Sequence, residues 1–169
     1  MTATARFALP LLHAGQAQKE MFHNEAVTGI DLLLHPVVQG IDVDTPPASP
    51  EPGEAWVVGN MPTGDWAGQG GKIAARTDGG WRFVTPCVGM EIWVESLAQP
   101  LRYHAGSGWQ VGVMAASRIE IGGVQVVGER RAAIAVPTGG GTIDEPARAA
   151  ITAIISTLQA HGLIASVEL

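Results

Sequence analysis

Gly53-Glu-Ala-Trp56-Val-Val, Lys72-Ile-Ala-Ala-Arg76, Thr77-Asp-Gly-Gly80 and Trp81-Arg-Phe-Val84 follow one another in the middle of the chain. The same order returns in Gly89-Met-Glu-Ile-Trp93-Val-Glu, Leu101-Arg-Tyr-His104, Ala105-Gly-Ser-Gly108 and Trp109-Gln-Val-Gly-Val113. Each block reads as a strand with a tryptophan, a second strand, a glycine turn, and a return strand opened by another tryptophan. Asp78-Gly-Gly and Gly106-Ser-Gly suit tight hairpins, whose backbone needs positive φ. Stacking two such three-stranded units buries faces that neither can bury alone. The first unit alone carries a glycine-rich insert, Asn60–Gly71, with Trp66 in it. It reads as a loop.

Outward from this repeat, the spacing predicts a helix over Gly15–His35. Phe22, Ala26, Val27, Ile30, Leu33 and Leu34 fall on one side at 100° per residue, with Gln18, Glu25 and Gly29 opposite. Pro36 ends it. The preceding segment, residues 1–12, reads as an extended arm that either docks on a neighbour through Phe7, Leu9 and Leu11 or stays flexible. Asp42–Gly53 holds four prolines and reads as a stiff linker. Beyond the repeat, Ile119-Glu-Ile121, Val124-Gln-Val-Val127 and Ala132-Ala-Ile-Ala-Val136 read as short strands separated by glycines. After the Pro137–Gly141 linker, Thr142-Ile-Asp-Glu145 fits a capping box. Ala147, Ala150, Ile151, Ile154, Ile155 and Leu158 recur at helical spacing, and Gly162 is placed to stop the helix. Ile151, Ile154, Ile155 and Leu158 are its candidate docking residues. The expected fold class is α+β, mainly antiparallel β, with an N-terminal amphipathic helix and a C-terminal helix. The expected divisions are an arm (1–12), a helix plus β domain (13–113), and a tail of strands, linker and docking helix (114–169).

Composition narrows the function classes. Charged residues are 15% of 169, with 22 glycines and 11 prolines. Few charges remain to keep a lone monomer soluble, which suggests surfaces meant to be covered and a homo-oligomer. Net charge is −6 and the ten basic residues are scattered, so nothing supplies the basic stripe that nucleic acid requires. A single cysteine, Cys87, excludes an internal disulfide, and no Cys/His spacing suits zinc. No apolar run is long enough for a membrane helix. Met1–Pro10 lacks the apolar run of a secretory signal, so synthesis in the cytoplasm is expected.

No constellation asks for catalysis, a metal or a cofactor. His23 and Glu25 point to different sides of one helix. His13, His35, His104 and His161 are not at metal-ligand spacing. None of the six serines sits in a Gly-x-Ser-x-Gly elbow. Gly139-Gly-Gly141 before a helix could hold an anion, but Asp144 and Glu145 oppose it. A hydrolase would need paired carboxylates, and spacing does not pair Glu91, Glu95 and Asp78. The five tryptophans are the most informative set. Trp56, Trp81, Trp93 and Trp109 read as core. Trp66, in its glycine-rich loop, reads as a contact residue for a sugar ring, with Asp65, Gln69 and Arg76 as polar neighbours.

The run Leu9-Pro-Leu-Leu-His-Ala-Gly-Gln-Ala-Gln-Lys-Glu-Met-Phe-His-Asn-Glu-Ala26 resembles the N-terminal motif of an uncharacterised domain family of alphaproteobacterial phages, prophages and gene transfer agents. The likeness continues through Pro46-Pro-Ala-Ser-Pro, Gly53-Glu-Ala-Trp-Val-Val, Thr63-Gly-Asp-Trp-Ala-Gly, Gly70-Gly-Lys-Ile-Ala, Gly80-Trp-Arg-Phe and Gly89-Met-Glu-Ile-Trp-Val, over roughly residues 9–113. The resemblance implies a virion component, a tail fibre or a head spike that meets the host capsule, and brings no catalytic residues. Because the chain lacks a long repetitive shaft, the expectation is a structural, non-enzymatic head-spike base or fibre-attachment adaptor. Its partners would be capsid-vertex or fibre subunits. The alternative is a module binding a cell-surface polysaccharide.

Overall fold

The computed structural model describes residues 3–13, 19–142 and 144–165. The fold is α+β, with two helices and mostly antiparallel sheets, and the chain divides into two compact units, residues 1–113 and 114–169.

In the first unit, helix α1 (Lys19–Leu33) precedes strands β1 (Val37–Val38), β2 (Gly40–Val43), β3 (Ala55–Val58), β4 (Ile73–Thr77), β5 (Gly80–Val84), β6 (Glu91–Val94), β7 (Gln99–His104) and β8 (Gly108–Val111). The sequence repeat is a structural repeat. One sheet runs β2-β3-β4-β5 and the other β1-β6-β7-β8. In each, a short strand lies parallel to the first strand of an antiparallel meander. The two parallel strands are consecutive in the chain. The single segment Val37–Val43 therefore adds an edge first to one sheet and then to the other, and Gln39 N–H donates to Ala55 O (2.7 Å) between them. The periodicity reading did not include these strands, because two to four residues carry too little alternation to register.

Alternation along the strands sets the core. Ala55, Val57, Ile73 and Ala75 of one sheet pack with Ile92, Val94 and Leu101 of the other, closed by Val38 and by Leu32 of α1. The opposite face of β3 and β4 holds a second core of Trp56, Val58, Ala74 and Trp66, with Trp81 and Phe83 against it.

Helix α1 is turned the other way from the expected one. Phe22, Ile30, Leu33 and Leu34 are exposed, while Asp31 and Leu32 are its buried residues. The expected first turn, Gly15–Gln18, lies outside the described residues. The helix ends as Pro36 requires, with His35 in the left-handed region at φ 48°. The arm does not stand free. Ala3 pairs with Pro10, and Asp31 accepts from Thr4 Oγ1 (2.7 Å) and from the N–H groups of Arg6 (3.0 Å) and Phe7 (2.8 Å). The Arg6 guanidinium donates to the carbonyls of Asp31, Leu32 and His35, which are acceptors left open at a helix end.

In the second unit, β9 (Ile119–Ile121) and β10 (Val124–Val127) form a hairpin across Gly122-Gly123, both at positive φ. Helix α2 (Glu145–Ala160) follows. The cap is Asp144, which accepts from Ala147 N–H (3.0 Å), rather than Thr142. Pro146 explains the shift. With Thr142 as cap, proline would fall where the first helical N–H bond forms, whereas with the cap two residues later, at Asp144, it sits in the first turn, where no donor is needed. The C-terminus closes as expected, with Gly162 N–H donating to Gln159 O and Leu163 N–H to Leu158 O. Ala132–Val136 is not a strand, because among the described residues no strand pairs with it; the neighbouring Arg131 alone bridges to Ile164. Ile155 and Ile164 are the buried hydrophobics described for this unit, and every residue of β9 and β10 is exposed.

Candidate functional site

The insert between β3 and β4 positions the residues first suspected of binding. Asp44, at the end of β2, holds it: its carboxylate accepts from Met61 N–H (2.8 Å) and its carbonyl from Thr63 N–H (2.7 Å). The chain can turn there because position 59 is glycine. A Cβ on Gly59 would lie 2.3 Å from an Asp44 carboxylate oxygen. A 3-10 turn at Gly64–Trp66 then drives Trp66 down onto the sheet. Trp66 is 0% exposed. Its ring meets Trp81 edge-on (5.1 Å, 81°) and lies 6.2 Å from Trp56, which in turn meets Trp81 at 5.8 Å. Aromatic pairs favour such edge-to-face geometry. The expected sugar-contact role of Trp66 is therefore corrected: the glycine-rich stretch is a lid whose tryptophan fills the core beneath it. Its neighbours scatter. Asp65 is exposed, Gln69 accepts from Lys72 Nζ (2.8 Å), and Arg76 lies over Trp81 at 5.8 Å.

Trp93 is corrected in the opposite sense. It was expected in the core and is 43% exposed, on the outer face of the second sheet. It stands between Val37 of β1 and Pro100 of β7, with Glu91 and Arg102 paired beside it. His35, Pro36, Val37, Glu91 and Pro100 line an open groove around it, about 230 Å³. Trp109 keeps the core role expected of it. It packs against the inter-sheet core and donates from Nε1 to Gly71 O (2.9 Å).

The expected arm contacts Leu9 and Leu11 are half-buried and Phe7 is exposed, its ring 6.5 Å from that of His35. On α2, Ile151 and Ile154 are exposed, Leu158 is half-buried and Ile155 is buried. The docking set thus splits, with Ile155 serving the unit's own small core.

A small cleft of about 120 Å³ opens between α1 and the β4–β5 turn, lined by Glu25, Thr28, Asp31, Arg76, Asp78 and Arg82 among others. It is smaller than the usual small-molecule pocket. Its carboxylates are largely committed. Asp31 holds the arm, and both Glu25 oxygens accept from Arg82 (2.8 and 2.6 Å). The Arg82 hydrogen bonds hold the Glu25 carboxyl below the usual carboxylate range, and the pairing raises Arg82 further. Glu25 is thus fixed as an anion, not poised as an acid. Asp78 lines this cleft, whereas Glu91 lies on the other sheet beside Trp93, so these two carboxylates do not share a pocket. Among the described residues no group of three or more His, Cys, Asp or Glu could hold a metal ion, and no helix is long and apolar enough to cross a membrane.

Sequence reasoning missed Asp31 and Arg6, the pair that fixes the arm. Asp31 offered one signal, a lone acid beside Leu32-Leu33-Leu34 near a helix end.

No curated protein matches the chain. A family model described as a protein of unknown function, DUF2793, matches residues 23–110, which takes in most of α1 and both four-stranded sheets. By that match over more than half of its length, the chain belongs to the DUF2793 family.

Proposed function

We propose that this protein is a structural, non-enzymatic component of a phage or gene-transfer-agent particle, a head-spike base or fibre-attachment adaptor made in the cytoplasm and used in host-surface attachment. The observation that carries the assembly part of this reading is the second unit. Ile119, Ile121, Val124, Val126 and Val127 are all exposed on a two-stranded hairpin. A lone hairpin of that kind is marginal in water, and apolar rows left open mark places where another chain packs. The placement in a phage-like particle comes from the motif resemblance. In this reading the first unit is the rigid body and residues 114–169 engage capsid-vertex or fibre subunits.

The test is to purify particles from a producing strain and probe them for the chain. It is expected to copurify with nuclease-resistant particles. A chain lacking residues 114–169 is expected to stay in the soluble fraction while keeping the near-ultraviolet dichroism of its tryptophans. Absence of the full chain from the particles refutes the proposal.

A second reading, glycan binding, is favoured by one observation: exposed Trp93 beside the Glu91–Arg102 pair. An aromatic face with a carboxylate and a guanidinium next to it suits a saccharide ring. Titration with capsule polysaccharide should then quench Trp93, and Trp93→Ala should abolish binding while a chain altered at Asp65 binds normally.

A further inference from the structure

The two meanders carry corresponding residues on their outer faces, and the first face shows what the second lacks. Residues paired across neighbouring strands share a face. In the first sheet the row through Trp56 continues into Ala74 and Phe83, and the next row holds Arg76 and Trp81. In the second sheet the row through Trp93 continues into Pro100, whose carbonyl accepts from Gly112 N–H (2.8 Å). The next row there runs Glu91, Arg102 and Gln110. Phe83 and Trp81 thus correspond to Gly112 and Gln110. In the first sheet those two rings, with Trp66, pack around Trp56. In the second, neither β7 nor β8 sets a ring beside Trp93 on this face, and the neighbouring row is polar.

The polar groups of that row are open. Arg102 binds Glu91 through Nε and Nη2, both to the one carboxylate oxygen Oε2. Among the described residues no protein group bonds Glu91 Oε1, Arg102 Nη1 or the Gln110 amide. A protein lid like the one on the first sheet brings an aromatic ring and would strand these groups beneath it. A pyranose meets both demands. Its C–H face lies on an indole, and its hydroxyls, each a donor and an acceptor, suit carboxylate, guanidinium and amide alike.

Charge selects among sugars. Glu91 neutralises Arg102, and no other Lys or Arg stands in these two rows. A uronate or sulfated ring would compete with Glu91 for Arg102 and would approach a chain of net charge −6.

We infer that the outer face of β6–β8 binds a neutral polysaccharide. One uncharged hexose ring lies on Trp93, in the place that Trp81 and Phe83 fill on the first sheet, and its hydroxyls bond Glu91, Arg102 and Gln110. This inference rests on the glycan reading above. It adds the charge class of the sugar, and Gln110 as the residue that keeps the place open.

The test is calorimetric titration of the full chain with dextran, mannan and galactan, and with polygalacturonate as the charged counterpart of galactan. At least one neutral polymer is expected to bind, and polygalacturonate is not. Gln110→Trp copies Trp81 onto the second sheet and fills the place. It is expected to weaken that binding about tenfold, as is Trp93→Ala, which removes the aromatic anchor. Far-ultraviolet dichroism should be unchanged in both. Binding of polygalacturonate alone leaves the glycan reading standing and overturns the neutral-sugar inference. No binding of any of the four removes both. Neutral binding that survives Gln110→Trp puts the sugar elsewhere and overturns the inference. So does a chain that forms dimers which Trp93→Ala dissociates, because a protein lid then covers this face.

Discussion

Trp56 and Trp93 stand at the same place in the two halves of the first unit. Each is on the first strand of a meander, on the outer face, beside a short parallel strand. Yet Trp56 is 8% exposed and Trp93 43%. The difference lies after the strand. In the first half the chain runs through Asn60–Gly71 before returning, and Trp66 roofs the sheet. In the second, a short 3-10 turn at Glu95–Leu97 leads straight into β7, and nothing of that meander covers Trp93. A repeated residue is thus buried or exposed according to what its connection carries.

The return-strand tryptophans differ for a related reason. From Ala74, opposite Trp56, to the turn at Thr77 is three residues; from Pro100, opposite Trp93, to His104 is four. One added residue reverses the face. Trp81 therefore pairs with Arg76 on the outer side, and Trp109 with Tyr103 on the inner side.

The largest effect should follow from removing the roof. Trp66→Ala is expected to cost about 3–5 kcal/mol, as for large aromatic truncations in a core, read by denaturant unfolding with loss of near-ultraviolet dichroism. Next is the arm clamp. Asp31→Ala strands three donors and is expected to cost about 2–3 kcal/mol, with faster hydrogen exchange at the Arg6 and Phe7 amides. Unchanged exchange there would mean that the arm is held otherwise. Trp109→Phe keeps the ring in the core but leaves Gly71 O without its donor, for a loss of about 1 kcal/mol. If it costs nothing, the inner placement of Trp109 is in question. Trp93→Ala should change stability by less than about 1 kcal/mol; a loss equal to that of Trp66→Ala would erase the contrast between the halves.

The smallest effect is electrostatic. Folding lowers the Glu25 carboxyl below its ordinary 4.5 through Arg82, so the stabilisation is present above that pH and is lost as pH falls through the lower folded value. Both side chains are more than a third exposed, so screening limits the pair to about 0.5 kcal/mol. Glu25→Gln should therefore match wild type in strong acid and fall slightly short of it at neutral pH, in unfolding curves taken at both.

The sequence by itself determined the elements that rest on local chemistry. The hairpins at Asp78-Gly79 and Gly106-Ser107, the helix end at Pro36 and the stop at Gly162 were legible because proline fixes its own backbone and glycine alone takes positive φ without strain, wherever they sit. The repeat, and with it the pair of sheets, was legible because strand, turn and tryptophan recur in order. Faces were not. A helical wheel places Phe22, Ile30 and Leu33 together but does not say which side meets the sheet. That depended on Asp31 and Glu25 finding Thr4 and Arg82, partners 27 and 57 residues away. Trp66 looked exposed because its neighbours are glycines, and it is buried because Asp44 pins the loop onto the sheet. The short strands of Val37–Val43 exist only because β3 and β6 offer edges to pair with. Burial belongs to pairs of segments, and tertiary structure alone decides which segments meet.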